Sequence, residues 1–121
     1  MMKLLAVLAA LFSFASMTQA QGEYRHFVFF KFKEGTPSKE VTRIEQEFAA
    51  LPTKIATITG FEWGINISPE NKAKGFTHGF MVTFKDKKGL EIYIPHPDHE
   101  AFVKGLLPHL EDVFVFDFQH Q

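Results

Sequence analysis

The chain has 121 residues and a formal net charge of −1 at neutral pH, with 15 phenylalanines and no cysteine. Its length fits one small domain, and the near-neutral charge provides no basic surface for binding nucleic acid. Because no disulfide can form, stability must come from an apolar core, or from a core that is shared with a second copy.

The N-terminal residues are typical of a secretory signal. Lys3 gives a basic start, the apolar run 4–14 is too short to span a bilayer, and the small residue Ala20 precedes the expected cleavage point. We therefore predict a signal peptide at residues 1–20 and a secreted or periplasmic mature domain at residues 21–121. After cleavage, we expect no membrane association.

The first half of the mature chain predicts a strand and a helix. Residues 23–33 are rich in aromatic and branched side chains, as strands are, and both faces of this strand are apolar in the middle. Such a strand is expected to be covered on both sides. Residues 38–50 repeat apolar side chains at three- and four-residue spacing, which predicts an amphipathic helix with Ser38 as its N-cap and Pro52 as its end.

The second half predicts three more strands and two more helices. In chain order, these are a strand at 60–67, a strand at 76–84, a short helix through Tyr93, a helix at 98–107 and a strand at 113–118. With the short helix set aside, the order is strand, helix, strand, strand, helix, strand. This βαββαβ order predicts an α+β, ferredoxin-like fold.

Helices on one face of such a sheet leave the opposite face uncovered. That face is expected to carry Phe27, Phe29, Met81 and alternate residues of 113–118. An apolar patch of this kind usually marks an interface, and two sheets that pack face to face would bury it. We therefore predict a symmetric homodimer.

The segment between the last two helices concentrates unusual chemistry. It carries Tyr93, His96 and His99, and its backbone is stiffened by Pro95 and Pro97. Histidine titrates near neutral pH, and a tyrosine hydroxyl can both donate and accept hydrogen bonds. These side chains are therefore candidates for ligand binding or proton transfer, unless they only hydrogen-bond locally to fix the segment.

Two further histidines lie on the strands that should pack under the helices. His26 shares a strand face with Phe30, and His78 shares a strand face with Phe80. We expect these four residues to lie in the same layer as the histidine and tyrosine segment, where a few polar groups in aromatic walls would form a small-molecule site. The alternative is that each histidine is buried and satisfied by a backbone group.

His96 and His99 are also candidates for a zinc site, because two histidines close in sequence can share a metal ion. The spacing has low specificity, Pro97 lies inside the pair, and no HExxH or cysteine pattern is present. We therefore expect no metal.

Short segments along the whole mature chain resemble the stress-responsive A/B barrel (Dabb) domain family. They are HFVFFKFK at 26–33, FEWG at 61–64, GFTH at 75–78, TF at 83–84, YIPHPDH at 93–99 and FDF at 116–118. The resemblance implies a dimeric α+β barrel. One plant branch of the family closes a polyketide ring by aldol condensation without a cofactor. By that pattern His26, His78, Tyr93 and His99 match, with His99 as the base and Tyr93 as its hydrogen-bond partner.

Three functions remain open at this point. The protein is expected to be an exported, homodimeric member of this family that binds a small, partly apolar ligand through His26, His78, Phe30, Phe80 and His96. Alternatively, it is a cofactor-free cyclase or lyase that uses Tyr93 and His99, or a dimerisation module whose cavity is filled by its own side chains.

Overall fold

The computed structural model describes residues 22–121, and the predicted signal peptide lies outside these described residues. The elements, in order, are β1 (Tyr24–Phe32), α1 (Ser38–Lys54), β2 (Ile58–Ile65), β3 (His78–Phe84), α2 (Lys87–Tyr93), α3 (Pro97–Leu106), a 3₁₀ turn (Leu107–His109) and β4 (Leu110–Gln119). The predicted ferredoxin-like α+β fold is confirmed.

The four strands form one antiparallel sheet in the order β2-β3-β1-β4. Strand β1 is therefore internal, and its side chains alternate between the two faces of the sheet. His26, Val28 and Phe30 are buried under the helices, whereas Phe27 and Phe29 lie on the opposite face and are half-buried.

Closely packed aromatic rings form the centre of the core between the sheet and the helices. The ring centre of Phe48, on α1, lies 4.4 Å from that of Phe80 on β3 and 4.8 Å from that of Phe102 on α3. Phe30 lies 4.9 Å from Phe80 and completes the group. Such contacts contribute roughly 0.5–1.5 kcal/mol per pair beyond the burial of apolar area. They hold both long helices on one face of the sheet.

Helix α1 begins and ends differently from the prediction. Its N-cap is Pro37, which makes no side-chain capping bond, and Ser38 is the first helical residue. The carbonyl of Pro37 accepts from the backbone N–H of Glu40 at 3.0 Å, so its extended backbone starts the helix without a side-chain cap. Pro52 does not end the helix, which runs on to Lys54. A proline this close to the C-terminus removes only one helical hydrogen bond, since its own N–H is the missing donor.

The face of the sheet opposite the helices is apolar and uncovered in the single chain; we call it the open face. Phe114, Phe116 and Phe118 on β4 are 52%, 55% and 41% exposed. They pair with β1 beside Phe29 and Phe27, and the rings of Phe27 and Phe118 lie 5.3 Å apart. Across residues 22–121, no helix is long and apolar enough to cross a membrane.

Candidate functional site

A cavity of about 230 Å³ lies on the helix side of the sheet, between α3 and strands β1 and β4. Its walls are mostly apolar and come from strands β1 and β4 and helices α1 and α3: Val28, Phe30, Phe48, Phe102, Val103, Leu106, Leu110, Val113 and Val115. At about 30 Å³ per water molecule, it has room for roughly eight groups the size of a water molecule. We call it the histidine cavity, because His26 and His99 also line it.

Three side chains from three elements form the polar corner of the histidine cavity. His26 comes from β1, Tyr93 is the last residue of α2, and His99 lies in the first turn of α3. The ring centre of Tyr93 lies 4.2 Å from that of His99 and 6.0 Å from that of His26. The rings of Tyr93 and His99 are in contact, and no hydrogen bond joins the two side chains. The hydrogen bond between these two side chains that the family resemblance implied is therefore absent.

His99 is held in one tautomer by the connector that precedes α3. Its Nδ1 lies 2.8 Å from the carbonyl oxygen of Ile94, which can only accept a hydrogen bond. Nδ1 therefore carries the proton, and Nε2 of the neutral ring has a free lone pair. Burial lowers the pKa of His99 below its ordinary value; the bond to Ile94 opposes this in part, and the nearby His26 adds a smaller lowering effect. The ring is thus neutral at neutral pH and can accept a proton.

Tyr93 supplies a neutral hydroxyl beside this base. The side chain is 1% exposed, and burial raises its pKa well above the ordinary value for tyrosine. At neutral pH the phenol therefore keeps its proton and can donate a hydrogen bond to a ligand.

Asp117 on β4 is a site residue that the sequence reasoning did not identify. Its Oδ1 lies 2.7 Å from Nδ1 of His26, and its Oδ2 accepts from the hydroxyl of Tyr24 at 2.6 Å. Both carboxylate oxygens are thus used, and the bond fixes the orientation of His26. Burial, together with the bond to Asp117, raises the pKa of Tyr24 to about 12. The signal in the sequence was a lone carboxylate within the apolar strand VFVFDF.

His78 does not join this group, contrary to the prediction. In the sheet it pairs with Phe30, whereas His26 pairs with Val82, so the two histidines lie four residues apart along the strands. Its Nε2 donates to Glu45 at 2.7 Å, and its Nδ1 accepts from the hydroxyl of Thr77 at 2.8 Å. Glu45, on α1, binds His78 because the ring projects towards the helices at the far end of the sheet. His78 therefore does not line the histidine cavity.

Of the other predicted ligand-binding residues, only some line the histidine cavity. Phe30 lines the histidine cavity, but Phe80 is 1% exposed within the aromatic core and is not part of the lining. His96 is the N-cap of α3, where its Nδ1 accepts from the backbone N–H of Asp98 at 3.1 Å. It orients the helix that carries His99 and does not line the cavity. Among residues 22–121, no three or more His, Asp or Glu side chains are grouped so that they could hold a metal ion.

The protein is thus an α+β domain with four antiparallel strands and helices on one face of the sheet. A cavity lined by histidine and tyrosine lies beneath its last helix. The chain belongs to the Stress responsive A/B Barrel Domain (Dabb) family, whose model matches residues 24–120.

Three known proteins are similar to this chain over most of its length. The stress-response A/B barrel domain-containing protein HS1 of Arabidopsis thaliana is 33% identical over 85% of this chain and 94% of its own length. Olivetolic acid cyclase of Cannabis sativa is 27% identical over 78% of this chain and 93% of its own length. A solved structure of a dimeric protein with a ferredoxin-like fold from Bacteroides fragilis has a TM-score of 0.68 and 28% identity, and covers 83% of this chain and 98% of that chain.

We expect the substitution His99→Gln to make stability less sensitive to acid. Because the pKa of His99 is lowered in the folded state, the unfolded chain binds this proton first as the pH falls below about 6.5. Stability that is present above that pH is therefore lost as the pH falls through the lowered pKa of the folded state. Urea unfolding at a series of pH values should show a smaller loss between about pH 7 and pH 5 in the variant than in the wild type.

The control for this measurement is Lys104→Gln, an exposed change on the same helix whose side chain does not titrate in that range. It should show the same pH dependence as the wild type. Equal slopes for His99→Gln and the wild type would contradict the prediction.

Proposed function

We propose that this protein is an exported homodimer that binds a small, partly apolar molecule in the histidine cavity. One observation carries the binding proposal: apolar walls enclose a single polar corner in which Tyr93 offers a donor and His99 an acceptor. Small-molecule sites typically combine apolar walls with a few placed polar groups. The ligand that fits has one carbonyl or hydroxyl group and a compact aliphatic or aromatic body.

The proposal of a dimer rests on the open face. A row of exposed phenylalanines on β4 continues across β1, and a patch of this kind on a single chain usually marks an interface. The related Bacteroides fragilis protein is described as dimeric. In a symmetric pair, the two open faces would cover each other and leave both histidine cavities on the outside, beneath the helices.

The substitution Phe116→Glu tests the dimer. Phe116 is 55% exposed in the single chain, so a carboxylate there costs little in the fold, but it would be buried without a partner between two copies. We expect a dimer for the wild type and a folded monomer for the variant in size-exclusion chromatography with light scattering at micromolar concentration. Ile67→Glu, at a position 93% exposed and outside the strands, is the control and should remain a dimer. A monomeric wild type would refute the proposal.

The substitution Val115→Phe tests ligand binding. Val115 lines the histidine cavity and is 51% exposed, so a larger ring can occupy the cavity without disturbing the buried core. Native mass spectrometry of protein purified from its own host should show a retained small molecule on the wild type and none on this variant. Ile67→Phe adds the same ring outside the cavity and should keep the ligand. Equal retention by both variants would count against this cavity as the site.

The same spectra test export, because they give the mass of each subunit. Loss of the first 20 residues would agree with cleavage of the predicted signal peptide, and a subunit mass for the full 121 residues would contradict it.

A cofactor-free proton-transfer enzyme is the second candidate, and the state of His99 favours it. A neutral ring with Nδ1 bound to the backbone leaves Nε2 to take a proton from a carbon next to a carbonyl group. The hydroxyl of Tyr93 would then donate to the oxygen of the resulting enolate, and the enolate carbon would attack a second carbonyl in the same molecule. The alkoxide formed there would take back the proton that His99 had accepted. One relative, at 27% identity, is a cyclase.

Two variants distinguish the enzyme from a binding protein. His99→Ala and Tyr93→Phe each remove one polar contact but leave the apolar walls in place, so each should weaken binding of the compound recovered from the wild type without abolishing it. If the protein is an enzyme, its turnover of that compound should fall by about 10²–10⁴-fold in His99→Ala, the usual contribution of a positioned acid or base. The measurement is mass spectrometry of the compound after incubation with each protein. No change of the compound by the wild type would leave only the binding function.

A further inference from the structure

The open face has two halves that differ in relief. Strands β1 and β4 present bulky rings there, whereas strands β2 and β3 present several glycines. We call the first the phenylalanine half and the second the glycine half. The phenylalanine half carries Phe27, Phe29, Phe114, Phe116 and Phe118, and the glycines of the glycine half are Gly60, Gly64 and Gly79. The dimer proposed above covers both halves, so their fit decides how the two copies pair.

One row of paired residues crosses both halves. Gly64 on β2 pairs with Gly79 on β3, Gly79 pairs with Phe29 on β1, and Phe29 pairs with Phe114 on β4. A Cβ atom on Gly64 would meet nothing within 4 Å, and one on Gly79 would lie 3.2 Å from the Phe29 ring. A space of about 540 Å³ therefore lies over the two glycines, beside the rings. We call it the glycine hollow.

Only two directions of the symmetry axis align the strands of two facing sheets. In a closed dimer of this kind, the two-fold axis lies between the sheets and parallel to them. An axis along the strands places the phenylalanine half of each copy over the glycine half of its partner. An axis across the strands places like halves together, so that rings hold the sheets apart while the two hollows face each other unfilled. Interfaces pack as closely as protein interiors, which favours the axis along the strands.

Charge favours the same direction of the axis. Lys72 and Lys74, on the loop between β2 and β3, are exposed beside the glycine hollow. Asp112 is exposed and precedes Phe114 by two residues, so it lies on the same face of β4. An axis along the strands keeps each residue at its level and brings Asp112 to the partner's lysine loop. An axis across the strands inverts the levels and brings this carboxylate to the partner's Phe118, without a charge partner.

We propose that the two-fold axis of the homodimer runs along the strands, between β1 and β3, so that the Phe114 ring of each copy fills the glycine hollow of the other. This inference rests on the dimer proposed above and specifies its geometry. The hollow is incomplete in a single chain, because the side chain that fills it comes from the partner. Val113 and Val115 of the same strand line the histidine cavity, so the partner also covers the outer side of one wall of that cavity.

Cysteine cross-linking tests the direction of the axis, because the chain has no cysteine of its own. Glu23 and Lys33 are exposed and flank β1, the strand beside the proposed axis. An axis along the strands brings each position close to its own copy in the partner. An axis across the strands brings Glu23 close to the partner's Lys33, and it separates each position from its own copy by about 30 Å, the length of ten strand residues.

Glu23→Cys and Lys33→Cys proteins are mixed, allowed to exchange subunits and treated with a short bismaleimide. Mass spectrometry of the linked peptides should show position 23 joined to position 23 and position 33 joined to position 33. Links mainly between positions 23 and 33 would overturn this arrangement and leave the dimer itself standing. A monomeric wild type in light scattering would refute the dimer and the arrangement together.

Size-swap variants test the contact between Phe114 and the glycine hollow. Gly64→Leu fills the hollow and Phe114→Ala removes the ring, so each should raise the dimer dissociation constant at least about tenfold in analytical ultracentrifugation. The double variant should dimerise more tightly than Gly64→Leu alone, because the leucine then takes the space of the missing ring. No such gain would overturn the proposal.

Two controls show that the gain is specific and arises between copies. Phe118→Ala removes a ring from the same strand face, four residues away, and should not offset Gly64→Leu. An equal gain with Phe118→Ala would overturn the proposal. Within one chain, Gly64 and Phe114 lie three strand spacings apart, about 14 Å. In the monomeric Phe116→Glu background, their effects on the free energy of unfolding should therefore add, and coupling there would place the contact inside one chain and overturn the proposal.

Discussion

Antiparallel pairing of β1 with both β3 and β4 is the constraint on which the rest of the structure depends. An internal strand must place alternate side chains on opposite faces, so one stretch of nine residues serves two different surfaces. His26 and Phe30 point to the helices, and Phe27 and Phe29 point to the open face. A slip of one residue in this pairing would move the histidine out of its cavity and expose the core rings.

The polar corner of the histidine cavity is assembled from parts that are distant in sequence. Asp117, at the other end of the domain, orients His26, while the backbone carbonyl of Ile94 orients His99. Each histidine is held through Nδ1 by a fixed acceptor, and Nε2 of the neutral His99 ring is left free. The corner thus combines this acceptor nitrogen with the neutral hydroxyl of Tyr93, an arrangement suited to a carbonyl or hydroxyl group.

The histidine cavity lies beneath α3 and is small, with polar groups at one corner. His78 lies under the helices at the other end of the sheet, and both of its ring nitrogens are bound to protein groups. Its role is to connect β3 to α1 through Glu45, and this bond holds the helix over the end of the sheet.

The sequence by itself determined the order of the elements, the apolar character of both faces of β1, and the family, since these follow from side-chain periodicity and from short local motifs. It also predicted that Tyr93 and His99 lie together, because neighbouring residues on a proline-stiffened segment stay close in any fold. Only the tertiary structure decided that His26 joins them and His78 does not, because strand register sets how far apart two residues lie along a sheet. It also decided the partner of His26, because that contact depends on residues from different strands meeting across the sheet, and no local pattern predicts such a meeting.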